Sequence, residues 1–181
     1  MHLPVNPSMN KAPPLFVVVM GVAGCGKSSL AGRCAQSLQL PMLEGDDFHS
    51  VANVQKMRSG VPLDDADRAG WLTALAGELQ QRPQGAVLTC SALRLRYRDR
   101  LREAVPDLRF LYLRLTEDQA RVRVSARAGH LFPASLVASQ FEALECPGEE
   151  GGVLTLDASL GLQTLENQAL AWLGATRPLG A

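Results

Sequence analysis

The sequence predicts an α/β protein, a five-stranded parallel sheet with helices on both faces. Three observations carry that expectation. Short apolar runs bounded by turn residues recur along the 181 residues and alternate with segments of helical spacing. The runs are continuously apolar rather than alternating, as strands covered on both faces must be. The first run, Leu15-Phe16-Val17-Val18-Val19-Met20, leads through Gly21-Val22-Ala23-Gly24-Cys25-Gly26-Lys27-Ser28 into a helical segment, a strand–loop–helix unit.

The elements follow in order. Ser28 to Gln39 reads as a helix with Leu30, Ala31, Cys34, Ala35 and Leu38 on one face. Pro41-Met42-Leu43 is a short second strand ending in Glu44-Gly45-Asp46-Asp47. Ser50 to Arg58 is helical until Gly60-Val61-Pro62 breaks it, and Asp64 to Gln81 is a helix with Trp71, Leu72, Leu75 and Leu79 inward. Ala86 to Cys90 is the third strand, Arg94 to Val105 a basic helix, and Leu108 to Leu115 the fourth strand. Thr116-x-x-Gln119 fits a capping box opening the next helix. Gly129-His130-Leu131-Phe132-Pro133 interrupts that helix, and Ser135 to Glu145 resumes it. Val153 to Leu156 is the last strand, and Leu162, Leu165, Ala169 and Leu173 line a final helix. Right-handed crossovers then bring the carboxyl ends of the strands, and any site, to one edge.

The loop matches G-x-x-x-x-G-K-[ST], which binds nucleotide phosphates. Its glycines let the backbone approach phosphate oxygens, and the N–H groups from Gly21 through Ser29 lie at or near the positive end of a helix dipole. Lys27 is placed for the β- and γ-phosphates and the Ser28 hydroxyl for Mg²⁺. The chain has only three lysines (Lys11, Lys27, Lys56), so this one does not come from a lysine-rich background. The loop therefore implies binding of a nucleoside triphosphate. Cys25 stands where a small residue is needed; a thiol beside Lys27 at a helix start is also placed for ready oxidation.

Composition narrows the class. At 46% hydrophobic and 20% charged residues the chain reads as an ordinary globular protein, and its formal net charge of zero gives no basic field to favour nucleic acid. Arg94, Arg96, Arg98, Arg100 and Arg102 form a basic run, but alternate spacing spreads them around a helix, so most are expected in solvent. Cys25, Cys34, Cys90 and Cys146 show no metal spacing and read as reduced thiols of a cytoplasmic protein. The Leu15–Met20 run is too short to span a membrane. Residues 1–14 and 175–181 are expected as flexible tails around one domain at 15–174.

The acidic turn after the second strand lies where the site of an open α/β sheet belongs. One carboxylate there suits a base that accepts a hydroxyl proton, and a second suits Mg²⁺ held through water. Asp46 is the preferred base, against the plainer reading of an acidic turn or helix cap.

Beyond the loop, His49-x-x-x-Asn53-x-x-Lys56-Met57-x-x-Gly60-x-Pro62-Leu63-x-Asp65-x-Asp67-Arg68-x-x-Trp71-Leu72 resembles a signature of the gluconokinases. Cys90-Ser91-Ala92-Leu93-Arg94-x-x-Tyr97-Arg98-Asp99-x-Leu101-Arg102 is similar to a second. Arg127-x-Gly129-His130-Leu131-Phe132, continued by Ser139-Gln140-Phe141-Glu142-x-Leu144-Glu145-x-Pro147, is similar to a third. The resemblance runs collinearly from about residue 15 to 160. Shikimate kinases and nucleoside monophosphate kinases share the loop and sheet but not these blocks. Two positions depart from the family: Glu44 stands where Asp is frequent, and Arg94 where Lys is frequent. The longer Glu44 suits a water-mediated metal role better than a direct one.

The resemblance implies a P-loop fold of the nucleoside-monophosphate-kinase type with a lid near 123–140. It implies phosphoryl transfer from ATP, with Mg²⁺, to D-gluconate in a cytoplasmic homodimer. Lys27, Asp46 and Arg127 would be catalytic, and Glu44 would join Ser28 at the metal. Asp46, His49, Arg58, Arg94 and Gln140 would meet the sugar acid. For Arg58 and Arg94 a solvated surface position is the alternative, and for His49 and His130 it is a loop cap. Arg123 and Arg127, four apart, would close onto the β- and γ-phosphates, unless they are a surface pair. A shikimate-like kinase and a nucleotide-regulated binding module are the competing functions.

Overall fold

The most apolar run of the chain lies at the centre of the sheet. In the computed structural model, which describes residues 13–126 and 133–175, β1 (Leu15–Met20) pairs in parallel with β3 (Gly85–Cys90) on one side and β4 (Arg109–Arg114) on the other. β2 (Met42–Glu44) and β5 (Val153–Asp157) form the edges, giving the order β2-β3-β1-β4-β5. Side chains alternate along a strand. Val17 and Val19 therefore join Val87, Leu111 and Leu113 in one core, while Val18 and Met20 join Leu88, Phe110 and Tyr112 in the other. This explains why every residue of β1 reads as apolar.

The first core is closed by α1 (Lys27–Leu38) and α7 (Leu162–Ala175), through Leu30, Ala31 and Cys34 on one helix and Leu165, Ala169 and Leu173 on the other. Glu166 ties the two helices, accepting from Arg33 Nε at 2.8 Å and Ser37 Oγ at 2.7 Å. The second core is closed by α3 (Asp65–Gln80) and α4 (Leu95–Ala104), through Trp71, Leu72, Leu75 and Leu79 and through Tyr97 and Leu101. All four cysteines are free, and burial pushes the Cys34 thiol up to about 11 and Cys90 up to about 12.

Caps fall where the side chains dictate. Ser50 accepts from Asn53 N at 3.1 Å to start α2 (Val51–Arg58). Reciprocal boxes, Asp64 with Asp67 and Thr116 with Gln119, open α3 and α5 (Glu117–Ser125). The expected helix over 135–145 is instead a 3-10 turn, Ala134–Leu136, followed by α6 (Val137–Ala143). The helix stops because the chain is drawn toward α4: Glu145 N donates to Leu93 O at 2.8 Å, and its carboxylate accepts from Leu95 N at 2.6 Å. At the other end of the chain, Gly174 and Ala175 are still helical.

Arg98 corrects the reading of the basic run, because its side chain is 0% exposed. It donates to the carbonyls of Ala92 at 2.8 Å, Leu93 at 3.1 Å and Glu145 at 3.1 Å, and to the Glu150 carboxylate from Nε at 3.0 Å. The Ala92 and Leu93 carbonyls belong to the turn after β3, where Ala92 is held at φ 43°, a left-handed conformation unusual for a residue with a Cβ, and the Glu145 carbonyl belongs to the segment after α6. Arg102 adds a bond to Glu150 at 2.9 Å. Burial works against the Glu150 charge, but the two guanidiniums override it and hold the carboxyl below its ordinary value. Glu150→Ala strands a buried guanidinium and should cost about 3 kcal/mol. The expected readout is a lower urea midpoint at unchanged slope.

Candidate active site

The loop after β1 continues the sheet by one bond, Gly21 N donating to Ser91 O at 3.3 Å, so the turns following β1 and β3 are held side by side. Gly26 caps α1 at φ 96°, in the left-handed region where a side chain would be strained. The first-turn N–H groups of α1 have no intrahelical acceptors and form an anion-binding end. Lys27 Nζ donates to Gly21 O at 3.1 Å and Val22 O at 3.0 Å, which draws its ammonium over the loop. Ser28 and Ser29 are exposed beside it. Cys25 is 2% exposed and packed in the first core, so its place is explained by small size and burial. That geometry gives no support to a readily oxidised thiol.

The acidic turn is clamped to β3. A Cβ on Gly45 would lie 2.0 Å from Thr89 O, so only glycine passes there. Gly45 N donates to Thr89 Oγ1 at 3.0 Å, and the Thr89 hydroxyl donates to Glu44 Oε1. From the opposite side Trp71 Nε1 donates to Gly45 O at 2.7 Å. Thus β2 extends one residue beyond the expected strand, to Glu44, and a 3-10 turn over Gly45–Phe48 presents Asp46 to solvent. His49 stacks on Trp71 with ring centroids 4.3 Å apart and planes 14° from parallel. Its Nε2 lies 4.0 Å from Asp46 Oδ1.

One cleft unites the two segments. Ala23, Gly24, Gly26, Lys27, Ser28 and Ser29 line one wall, and Glu44, Asp46 and His49 another. Ser139 and Gln140 approach from α6, and Gln140 Oε1 accepts from Ala23 N at 2.6 Å. The remaining lining includes Met57, Leu63, Arg68, Trp71 and Ser91, none of them singled out by sequence reasoning as site residues. All five lie inside the quoted blocks, but nothing in a linear pattern says which block residues face the cleft.

Two of the arginines chosen from sequence lie elsewhere. Arg58 is exposed at the end of α2 and is not part of the lining. Arg94 is also outside the lining and pairs with Asp65 at 3.6 Å. Arg123 lines a second hollow behind the loop, together with Gly24, Cys25, Ser29, Ala158, Leu160 and Leu162, and donates to Ala158 O at 2.9 Å. Arg127 and His130 lie outside the described residues.

His49 is held neutral. Burial lowers its pKa, the Asp46 carboxylate raises it, and Arg68 lowers it. Asn53 Nδ2 donates to Asp67 O at 2.8 Å and sits 3.4 Å from His49 Nδ1, which fixes the amide as donor. The neutral ring then carries its proton on Nε2, toward Asp46.

A phosphate loop facing an accessible carboxylate across one cleft, at the carboxyl edge of a parallel sheet, defines a P-loop kinase. Comparison with known proteins narrows the class. A family model described as an AAA domain matches residues 16–146. The thermoresistant gluconokinase of Escherichia coli is 43% identical over 150 residues, covering 81% of this chain and 86% of that protein. The gluconokinase of Gluconobacter oxydans is 43% identical over 144 residues, covering 78% and 81%. The crystal structure of a gluconokinase from Sinorhizobium meliloti superposes with a TM-score of 0.84 at 39% identity, over 91% of this chain and 94% of the other. The chain belongs to the gluconokinase family.

The electrostatics of His49 give a direct check. Asp46→Asn removes the charge that favours the imidazolium, so the His49 pKa should fall further; NMR titration of the imidazole resonances reads the change. Because the folded pKa already lies below the ordinary value near 6.5, the unfolded chain takes up this proton first. This residue's contribution to stability should therefore fall as pH drops through 6.5 toward the folded pKa.

Proposed function

We propose that the chain is an ATP-dependent gluconokinase that converts D-gluconate and ATP to 6-phospho-D-gluconate and ADP. The observation that carries this reading is the shared cleft, in which Lys27 and Ser28 of the phosphate loop face Asp46. The relatives named gluconokinase support the acceptor.

The loop divides donor from acceptor. The second hollow, walled by Ala158, Leu160 and Leu162, is apolar and suits a nucleobase, and the loop N–H groups then receive the phosphates. Asp46, with its side chain 56% exposed, accepts the proton of the acceptor's primary hydroxyl. As the hydroxyl oxygen bonds to the γ-phosphorus, the bond to the β–γ bridging oxygen breaks and ADP leaves. Little covalent assistance is needed, so the work of the site is positioning and charge neutralisation. Lys27 and Arg127 balance charge on the transferred group, while Arg123, standing in the hollow given to the nucleobase, meets the nucleotide from that side. Gln140, already bonded to the loop, and neutral His49 suit hydroxyls of the acceptor.

The donor set also fits Mg²⁺. Ser28 and Glu44 line the same cleft and offer only oxygen, as a hard cation that keeps most of its waters requires. They would hold it, and when bound it would supply charge neutralisation for the nucleotide phosphates. A cytoplasmic homodimer belongs to the same reading on the strength of the family resemblance. Among the described residues no helix is long and apolar enough to cross a membrane.

Asp46→Asn should lower turnover with gluconate by about 10²–10⁴-fold while KM for ATP stays within a few-fold. Near-normal turnover would remove Asp46 as the base. Lys27→Ala should weaken both nucleotide binding and turnover, measured by calorimetry and by coupled ADP release. An acceptor panel in the same assay tests the substrate: clear preference for shikimate or a nucleoside monophosphate over gluconate would overturn the reading.

A further inference from the structure

We propose that Arg68 is the residue that recognises the carboxylate of the acceptor and so sets both acid specificity and the end of the chain that is phosphorylated. The proposal rests on the gluconokinase reading and assigns a role to a side chain that its sequence pattern did not single out.

The cleft is lined by two basic side chains, Lys27 and Arg68, among the described residues. Lys27 is held to the phosphate loop by its two carbonyl bonds. The other arginines near this face are occupied or turned away. Arg94 and Arg96 both pair with Asp65, and Arg58 is exposed outside the lining. Arg68, by contrast, makes no ion pair among the described residues, although it is half-buried in a cleft that contains carboxylates.

Its guanidinium is also prepared for a ligand. Arg68 stands on the first turn of α3, and both of its hydrogen bonds, to Leu63 O and Asp64 O, use Nη1. Its guanidinium carbon lies 5.7 Å from the centroid of Tyr97, a cation–π distance that braces the plane. Tyr97 is itself anchored, its hydroxyl donating to Asp65. One end of the fork is thus fixed, and the Nε–Nη2 edge keeps the two parallel donors that match a carboxylate. Arg68 lies near enough to Asp65 to bias its carboxyl, but Arg94 and Arg96 already share that carboxylate, so an anionic ligand supplies the direct partner that the half-buried Arg68 guanidinium lacks.

Polarity within the cleft then orders the acceptor. A six-carbon sugar acid has a carboxylate at one end and a primary hydroxyl at the other. The hydroxyl belongs at Asp46, which would repel a carboxylate, and the carboxylate belongs at Arg68. His49, which lines the same cleft within electrostatic reach of both Asp46 and Arg68 and is held neutral, meets hydroxyls of the acceptor without adding charge. Regiochemistry follows from the two ends: the hydroxyl farthest from the acid reaches the phosphate loop.

The test compares D-gluconate with D-glucitol, which has the same chain with a hydroxymethyl group in place of the carboxylate. The wild-type enzyme should favour gluconate strongly in kcat/KM. Arg68→Met should lower kcat/KM for gluconate on the order of 100-fold, leave glucitol within about 3-fold and leave KM for ATP within about 2-fold. Arg68→Lys, which keeps the charge but loses the fork, should fall between. Thermal melting of both variants reports folding, and the lysine form serves if the methionine form is unstable. Equal losses for gluconate and glucitol in a folded variant, or unchanged discrimination, would overturn the assignment of Arg68 alone. A wild-type enzyme that does not phosphorylate gluconate, or prefers glucitol, would overturn the gluconokinase reading and this assignment with it.

Discussion

The passage of the Gly45 peptide across Thr89 holds the acidic half of the site in place. The backbone comes so close to β3 that a methyl group would overlap the Thr89 carbonyl, and three hydrogen bonds use that closeness. Thr89 holds the Gly45 N–H and the Glu44 carboxylate, while Trp71 holds the Gly45 carbonyl. Asp46 follows directly, so the proposed base is positioned by backbone that cannot slide. Trp71 extends the same constraint to His49 by stacking. Sheet, α3 and cleft are joined at one peptide.

The phosphate loop gains its position from the strand order. Because β1 lies between β3 and β4, the loop at its end emerges at the middle of the sheet, flanked by the turn after β3 and roofed by α5 and α6. An open hollow remains on each side of it. Phosphoryl transfer needs two substrates to meet in line across a set of fixed donors, and a loop with a hollow on each side provides that arrangement. The Arg98 cluster supports it from beneath, gathering the carbonyls of the turn that carries Ser91 and binding the segment after α6.

Much of this was legible locally. The strand–loop–helix unit, the capping box at Thr116, the helix start at Asp64 and the apolar strands depend on residues within a few positions of each other, and the structure follows them closely. The failures share a cause. Arg98 looked like one of five alternating surface arginines, and only its distant partner Glu150 and the carbonyls of the β3 turn account for its burial. The helix after Pro133 stops early because Glu145 is needed at the start of α4, far back in the sequence. Arg58 and Arg68 are equally plausible in a linear pattern. The packing of α2 and α3 places the second in the cleft and the first in solvent.

By itself the sequence determined the class of fold, the triphosphate-binding loop, the candidate base and, through three spaced blocks, the family. Those features are set by short-range backbone chemistry and by periodicity, which a linear chain displays. Tertiary structure alone decided which charged side chains line the cleft, which are buried as struts and how the acidic turn is held. Each of those outcomes depends on groups far apart in the chain sharing desolvated space, where a charge is stable only beside a partner.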